Sequence, residues 1–325
     1  MVPRAPSLFY GEPFEATRWL SQFRGPRRVL GAFGVRNRLS GFRQLTRQLL
    51  LGLRRAGLEP RFNDFRHASR HPCEPIGFLG KTSLLARWKP QNPVVFGPCM
   101  LDHPRDFPDL LDRFDARAYL VPSAWVRDLF APYFGDRVVV WPVGIDLERW
   151  RDFSQERKSV DFLVYEKLLW NRPEKLRTVL RPILDTMEKR GFTTTVLHCG
   201  SYTHAEYEAA LRRSRRMVFL CEHETQGQAC QQALACNVPV LAWDQGVWLD
   251  PKATQYEREP VPASSVPWFS EACGMTFRAC ADFPARLDDF LANEASWAPR
   301  RFISGRLELV ASARRYAEIL AGAGS

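Results

Sequence analysis

The residues best equipped for chemistry in this 325-residue chain lie where polar segments follow apolar, strand-like runs. The richest is Glu222-His223-Glu224-Thr225-Gln226-Gly227-Gln228, between the run MVFLC and the helical pattern QACQQALAC. A polar loop with one glycine that opens a helix offers free backbone N–H groups and the positive end of the helix dipole to an anion. Glu224 precedes that helix and Gln232, eight positions on, falls in its first turns, so both can face a ligand held at the helix start. A diphosphate linking a sugar to a nucleoside satisfies both, with Glu224 accepting hydroxyl hydrogen bonds from the sugar and Gln232 reaching the ribose. The competing reading is a helix-capping Glu224 and a solvent-facing Gln232.

Three further places share this position after a strand-like run, where open parallel sheets bind ligands. Glu166-Lys167 follows VDFLVY, and Trp170, Asn171 and Arg172 come next. Lys167 and Arg172 are suited to the charge that develops on a departing diphosphate, although surface charges would read the same way. The loop from Gly31 to Gly41 holds Gly34 and Gly41, where the backbone could approach donor or acceptor, but it lacks GxGxxG spacing. Asp102-His103 follows PVVFGP, and His103 could orient a sugar hydroxyl or simply be satisfied within its loop. His198-Cys199, Cys221/His223 and His67/His71/Cys73 make no zinc spacing, so no metal is expected.

These groups need elements to hold them, and the chain supplies an alternation of strands and helices typical of α/β proteins. RRVLGAFGV reads as a strand, SGFRQLTRQLLLGLRRAG as a helix capped by Ser40 and stopped at Gly57, and LEPRF, IGFL, PVVFGP, ARAYLV and RVVVWPV as further strands. A polar stretch from Arg151 to Lys158 reads as a linker. A second series follows, alternating the strands VDFLVY, TTTVLHCG, MVFLC and VPVLAW with the helices PEKLRTVLRPILDTMEKRG, HAEYEAALRRS and QACQQALAC. Residues 245–270 read as loop, and helices are expected near 282–293 and 304–321. The expected organisation is a first domain over 1–150, a second over 151–300, and a terminal helical segment over 301–325.

Composition agrees with a two-domain globular protein: 45% hydrophobic, 25% charged and 12% aromatic residues. The net charge of +10 is concentrated at the start, where residues 1–60 hold eleven arginines and no lysine against Glu12, Glu15 and Glu59. That basic stretch suits an anionic membrane surface or nucleic acid, or else reflects arginine enrichment on solvated faces, and nucleic acid is the less favoured partner. Eight cysteines without a CxxC pair read as reduced core residues. No stretch approaches the ~20 apolar residues of a spanning helix, so the chain is expected in the cytoplasm, with peripheral membrane contact through its arginine-rich helix.

The segment FLCEHETQGQACQQALACNVPVLAWD resembles the acidic E-x7-E region of the large retaining GT-B glycosyltransferase family, which contains many bacterial mannosyl-, glucosyl- and N-acetylhexosaminyl-transferases. Glu224 matches the first acidic position, and Gly227, Ala233, Ala235, Cys236 and Pro239 follow the pattern. PVGIDLERW resembles that family's end-of-first-domain signature, and SSVPWFSEACGMTF with two helices its C-terminal finish. The resemblance implies two Rossmann-like domains facing a cleft, with the last helix crossing back to the first. It also implies transfer of a sugar from a UDP- or GDP-sugar to a saccharide or glycolipid hydroxyl, with retention and without a metal. Glu224 would then contact the donor sugar, the backbone of Thr225, Gln226, Gly227 and Gln228 the phosphates, and Lys167 with Arg172 the diphosphate. Gln232 stands where the family has its second Glu, and Glu166-Lys167 where it has Gly-Arg. A sugar-nucleotide epimerase, a phosphorylase or a catalytically silent binding module shares the same fold.

Overall fold

The computed structural model describes residues 5–11 and 41–324. Among them are two parallel sheets. The first holds β1 (Ser7–Gly11), β2 (Arg61–Phe62), β3 (Ile76–Gly80), β4 (Val94–Phe96), β5 (Ala116–Val121) and β6 (Val138–Val140), in the order β2-β1-β3-β4-β5-β6. The second holds β7 (Val160–Lys167), β8 (Thr194–His198), β9 (Ser214–Cys221), β10 (Val240–Trp243) and β11 (Gly274–Phe277), in the order β11-β10-β9-β7-β8. Parallel strands are covered on both faces, so these segments read as continuous apolar runs rather than alternating ones.

The helices that matter for the site are α1 (Gly41–Arg55), α2 (Ala124–Phe134), α3 (Arg181–Lys189), α4 (His204–Arg213), α5 (Gln228–Ala235), α6 (Pro251–Tyr256), α7 (Phe283–Ala292), α8 (Pro299–Arg306) and α9 (Leu309–Gly322). α3 continues from a first turn at Arg172–Lys175 through a π-helical stretch at Leu176–Leu180.

Several expectations shift. Strand β1, SLFYG, precedes every strand expected from the sequence, yet it pairs with both β2 and β3. LEPRF contributes only the two residues of β2. The expected strand RRVLGAFGV, the cap Ser40 and Gly34 lie outside the described residues. The 245–270 stretch is not a plain loop: it carries α6, and Trp248, Ala253 and Ala263 pack into the core of the first domain with Tyr119 and Phe130. Trp150 and Phe153, expected at the edge of a linker, are buried in the core of the second domain beside Tyr207 and Phe219.

α9 returns to the first domain. Leu49 and Leu53 of α1 pack with Ala313, Tyr316 and Leu320 of α9 and with Trp141. The helices touch closely at Gly52, where a Cβ would stand 2.8 Å from Ala313 Cβ and 2.9 Å from the Leu309 carbonyl oxygen. Leu45 and Leu50 of α1 are partly buried against the same cluster. Among the described residues no helix is long and apolar enough to cross a membrane.

Candidate functional site

The carboxyl ends of the two sheets meet at the loop after β9. From the first domain, Cys99 Sγ donates to Thr225 Oγ1 at 3.7 Å and Trp125 Nε1 donates to the Glu224 carbonyl at 2.9 Å. Gln226 Nε2 donates to the Val143 carbonyl at 2.8 Å, and the Val143 N–H returns a bond to Gln226 Oε1 at 3.1 Å. Gln228 Nε2 donates to Gln48 Oε1 of α1 at 2.7 Å. This loop is where the second domain grips the first.

In the second sheet β8 lies on one side of β7 and β9 on the other, so the winding reverses between β7 and β9. That reversal opens the crevice in which doubly wound sheets hold ligands. Lys167, the last residue of β7, sits there with its Nζ 2.7 Å from Glu224 Oε1. Gly227 follows at φ +82° and leads into α5. A Cβ there would make only ordinary contacts, the nearest at 3.6 Å, so the left-handed backbone rather than lack of space calls for glycine.

Charge at this pair is settled by a contest of terms. Burial works against the Lys167 ammonium, but Glu224 more than offsets it and holds the pKa above the usual lysine range. His223, stacked on Trp170 at 4.9 Å, is pushed down to about 3, first by burial and then by Lys167 and Lys175. It stays neutral beside two cations, and its buried Nδ1 has no hydrogen-bond partner.

Two more carboxylates shape the edge. Glu222, 1% exposed, accepts from the N–H groups of Leu169 (2.9 Å) and Trp170 (3.2 Å) and pairs with Lys175 at 2.8 Å. It thereby fixes the turn between β7 and α3. Glu166, 2% exposed, accepts from the Leu168 N–H at 2.8 Å, from Arg172 Nη2 at 2.7 Å and from His198 Nδ1 at 2.6 Å. Burial favours its neutral form, but His198, the Leu168 N–H and Arg172 outweigh that and keep its carboxyl below the usual range.

The structure therefore brings Lys167, Glu224, Thr225 and Gly227 together, with Arg172 anchored through Glu166. Gln226 and Gln228 spend their side chains on the first domain, and Gln226 also bonds Gln231 at 3.0 Å. Gln232 is buried within α5 rather than facing solvent. Gly41 opens α1, about two turns before Gln48.

His103 lies elsewhere. Its side chain is fully buried, Nε2 bonds Glu257 Oε1 at 2.9 Å, and Nδ1 accepts from the Arg105 N–H at 3.1 Å. The ring stacks on Tyr256 at 4.5 Å. Burial lowers its pKa against the pull of Glu257, so a neutral imidazole with both nitrogens engaged joins the first domain to the 245–263 excursion. The sequence reading left His103 either orienting a sugar hydroxyl or satisfied within its loop; here the Arg105 N–H engages Nδ1 from within the loop, and Glu257, 154 positions downstream, engages Nε2. Sequence reasoning gave Glu222 no role of its own and missed the bond between His198 and Glu166, although both carboxylates immediately follow apolar strand runs.

No protein-family model and no curated protein matches the chain. Among solved structures it is similar to AviGT4, a glycosyltransferase involved in avilamycin A biosynthesis, at 14% identity over 88% of this chain and 90% of that one, with a TM-score of 0.57. It is similar to WaaG, a glycosyltransferase involved in lipopolysaccharide biosynthesis, at 9% identity over 97% and 99%, with a TM-score of 0.52. A TarM mutant of S. aureus in complex with Fondaparinux, alpha-GlcNAc-glycerol and UDP matches at 9% identity over 76% of this chain and 55% of that one, with a TM-score of 0.53. At such identities the likeness is one of architecture: the chain has a two-domain, Rossmann-like GT-B fold.

Proposed function

We propose that the chain transfers a sugar from a nucleoside diphosphate donor to an acceptor hydroxyl, with the donor on the second domain and a saccharide or glycolipid acceptor on the first. The observation that carries this reading is the Lys167–Glu224 pair, 2.7 Å apart at the reversal of the second sheet and just ahead of α5. A diphosphate competes with Glu224 for the ammonium, and donor sugar hydroxyls then take up the freed carboxylate. Lys167, Arg172 and the N–H groups leading into α5 stabilise the leaving diphosphate where charge develops. The likeness to AviGT4 and WaaG, both glycosyltransferases, and the UDP held by TarM support the donor class. Retention of configuration follows from the sequence resemblance.

Incubation with labelled UDP- and GDP-sugars, with product analysis, tests this. Lys167→Ala and Glu224→Ala should each lower transfer or donor hydrolysis by roughly 100-fold or more while the circular dichroism spectrum is kept. Full activity in both variants would overturn the assignment. A catalytically silent binding module is the second reading, favoured by Gln232 standing where the resembled family has its second Glu. Absence of UDP and GDP binding by the wild type would select it.

A further inference from the structure

Glu166 and His198 have no role of their own above, and resting on the proposed donor class they carry a second assignment. We infer that Glu166 is a positioning residue that aims Arg172 and His198 along the carboxyl edge of the second sheet, and that His198 Nε2 contacts the nucleoside of the donor.

Geometry gives the direction. The sheet order runs β9-β7-β8, so Glu224, Lys167 and His198 follow one another across two strand spacings, about 10 Å. First-domain groups close on the β9 side, where Trp125, Cys99, Val143 and Gln48 bond the loop from Glu224 to Gln228. An acceptor held by the first domain must meet the sugar there. The nucleoside then runs the other way, past Lys167 toward β8, where Arg172 is 44% and His198 46% exposed.

Chemistry suits that end. A buried carboxylate anchors two side chains by one oxygen each can reach, Arg172 Nη2 at 2.7 Å and His198 Nδ1 at 2.6 Å, both on Glu166 Oε2. Arg172 uses one of its five N–H donors on Glu166 and has others for phosphate. His198 has a second ring nitrogen, which no described residue bonds, beside the carboxyl end of β8. A carboxylate on Nδ1 fixes the tautomer and aim of the ring, as second-shell carboxylates do for functional histidines.

The test is calorimetric titration of the full chain with UDP, GDP, ADP and inorganic pyrophosphate. The amide nitrogen of His198→Asn stands near the position of Nδ1 and keeps the Glu166 bond, but nothing replaces Nε2. His198→Gln places an amide near Nε2. For the best-bound nucleoside diphosphate, His198→Asn should weaken affinity about tenfold, the loss of one hydrogen bond, leave pyrophosphate unchanged, and be largely rescued by His198→Gln. Glu166→Gln should weaken nucleoside diphosphate and pyrophosphate alike, because Arg172 and His198 lose their common anchor. Wild-type affinity in His198→Asn, or equal loss for pyrophosphate, would overturn the assignment of His198. Unchanged binding in Glu166→Gln would remove Glu166. Absence of binding of all three nucleoside diphosphates by the wild type is a different result, and it would overturn the proposed donor class itself.

Discussion

Lys167 and Glu224 sit in a setting where either group alone is unfavourable, because each is largely desolvated and balanced by the other. Replacing one removes a ligand contact and strands a charge, so activity and melting temperature should fall together in Lys167→Ala, with activity falling much further. His223 gives a separate, pH-based test. Its folded pKa of about 3 lies below the ordinary histidine value of 6.5. Between those values the unfolded chain binds the extra proton, so stability is full above about pH 6.5 and is lost as pH falls toward 3. His223→Gln should therefore show a shallower decline of melting temperature from pH 7 to pH 4 than the wild type; an identical slope would remove His223 from the acid response. Glu224 and Lys167 were legible in the sequence because each follows an apolar run at a predictable sheet edge. His103 occupies the same kind of position, but its surroundings come from Tyr256 and Glu257, and contacts that distant leave no local signature.

At the scale of elements, Glu222 joins the end of β9 to the turn that starts α3. Three donors converge on its buried carboxylate, two of them backbone N–H groups. Glu222→Ala leaves Lys175 and both N–H groups without their partner, a loss of about 3–5 kcal/mol by the measure of broken buried ion pairs. Chemical denaturation would read it, and a loss under 1 kcal/mol would show that water or rearrangement satisfies the turn. Gly227→Ala should cost about 1–2 kcal/mol through its left-handed backbone alone, since space for a methyl group exists. The strands and helices of the second domain were readable because parallel strands are apolar throughout and their helices carry amphipathic spacing. α6 escaped notice because its six residues are too few for periodicity and its burial depends on the first domain.

Over the whole molecule, the domains are tied by the peptide near Val143, by α9 returning onto α1, and by the 245–263 excursion that reaches Asp102 and Asp106 through Lys252 at 3.3 and 2.7 Å. Gly52→Val should wedge α1 from α9 at a cost of about 1–3 kcal/mol, seen as a lower melting temperature of the first domain. The basic start of the chain is partly spent in the fold, since Arg55 pairs with Asp146 and Glu148 across the same junction, at 2.7 and 2.8 Å. All of this positions one crevice between β7 and β9, and a nucleoside diphosphate is its proposed ligand. Calorimetric titration of the wild type and Lys167→Ala with UDP and GDP tests it most directly. Saturable one-to-one binding of at least one of them by the wild type is expected, with a loss of tenfold or more in Lys167→Ala, about 1.4 kcal/mol. Absence of binding by the wild type, or equal binding by both proteins, would contradict it.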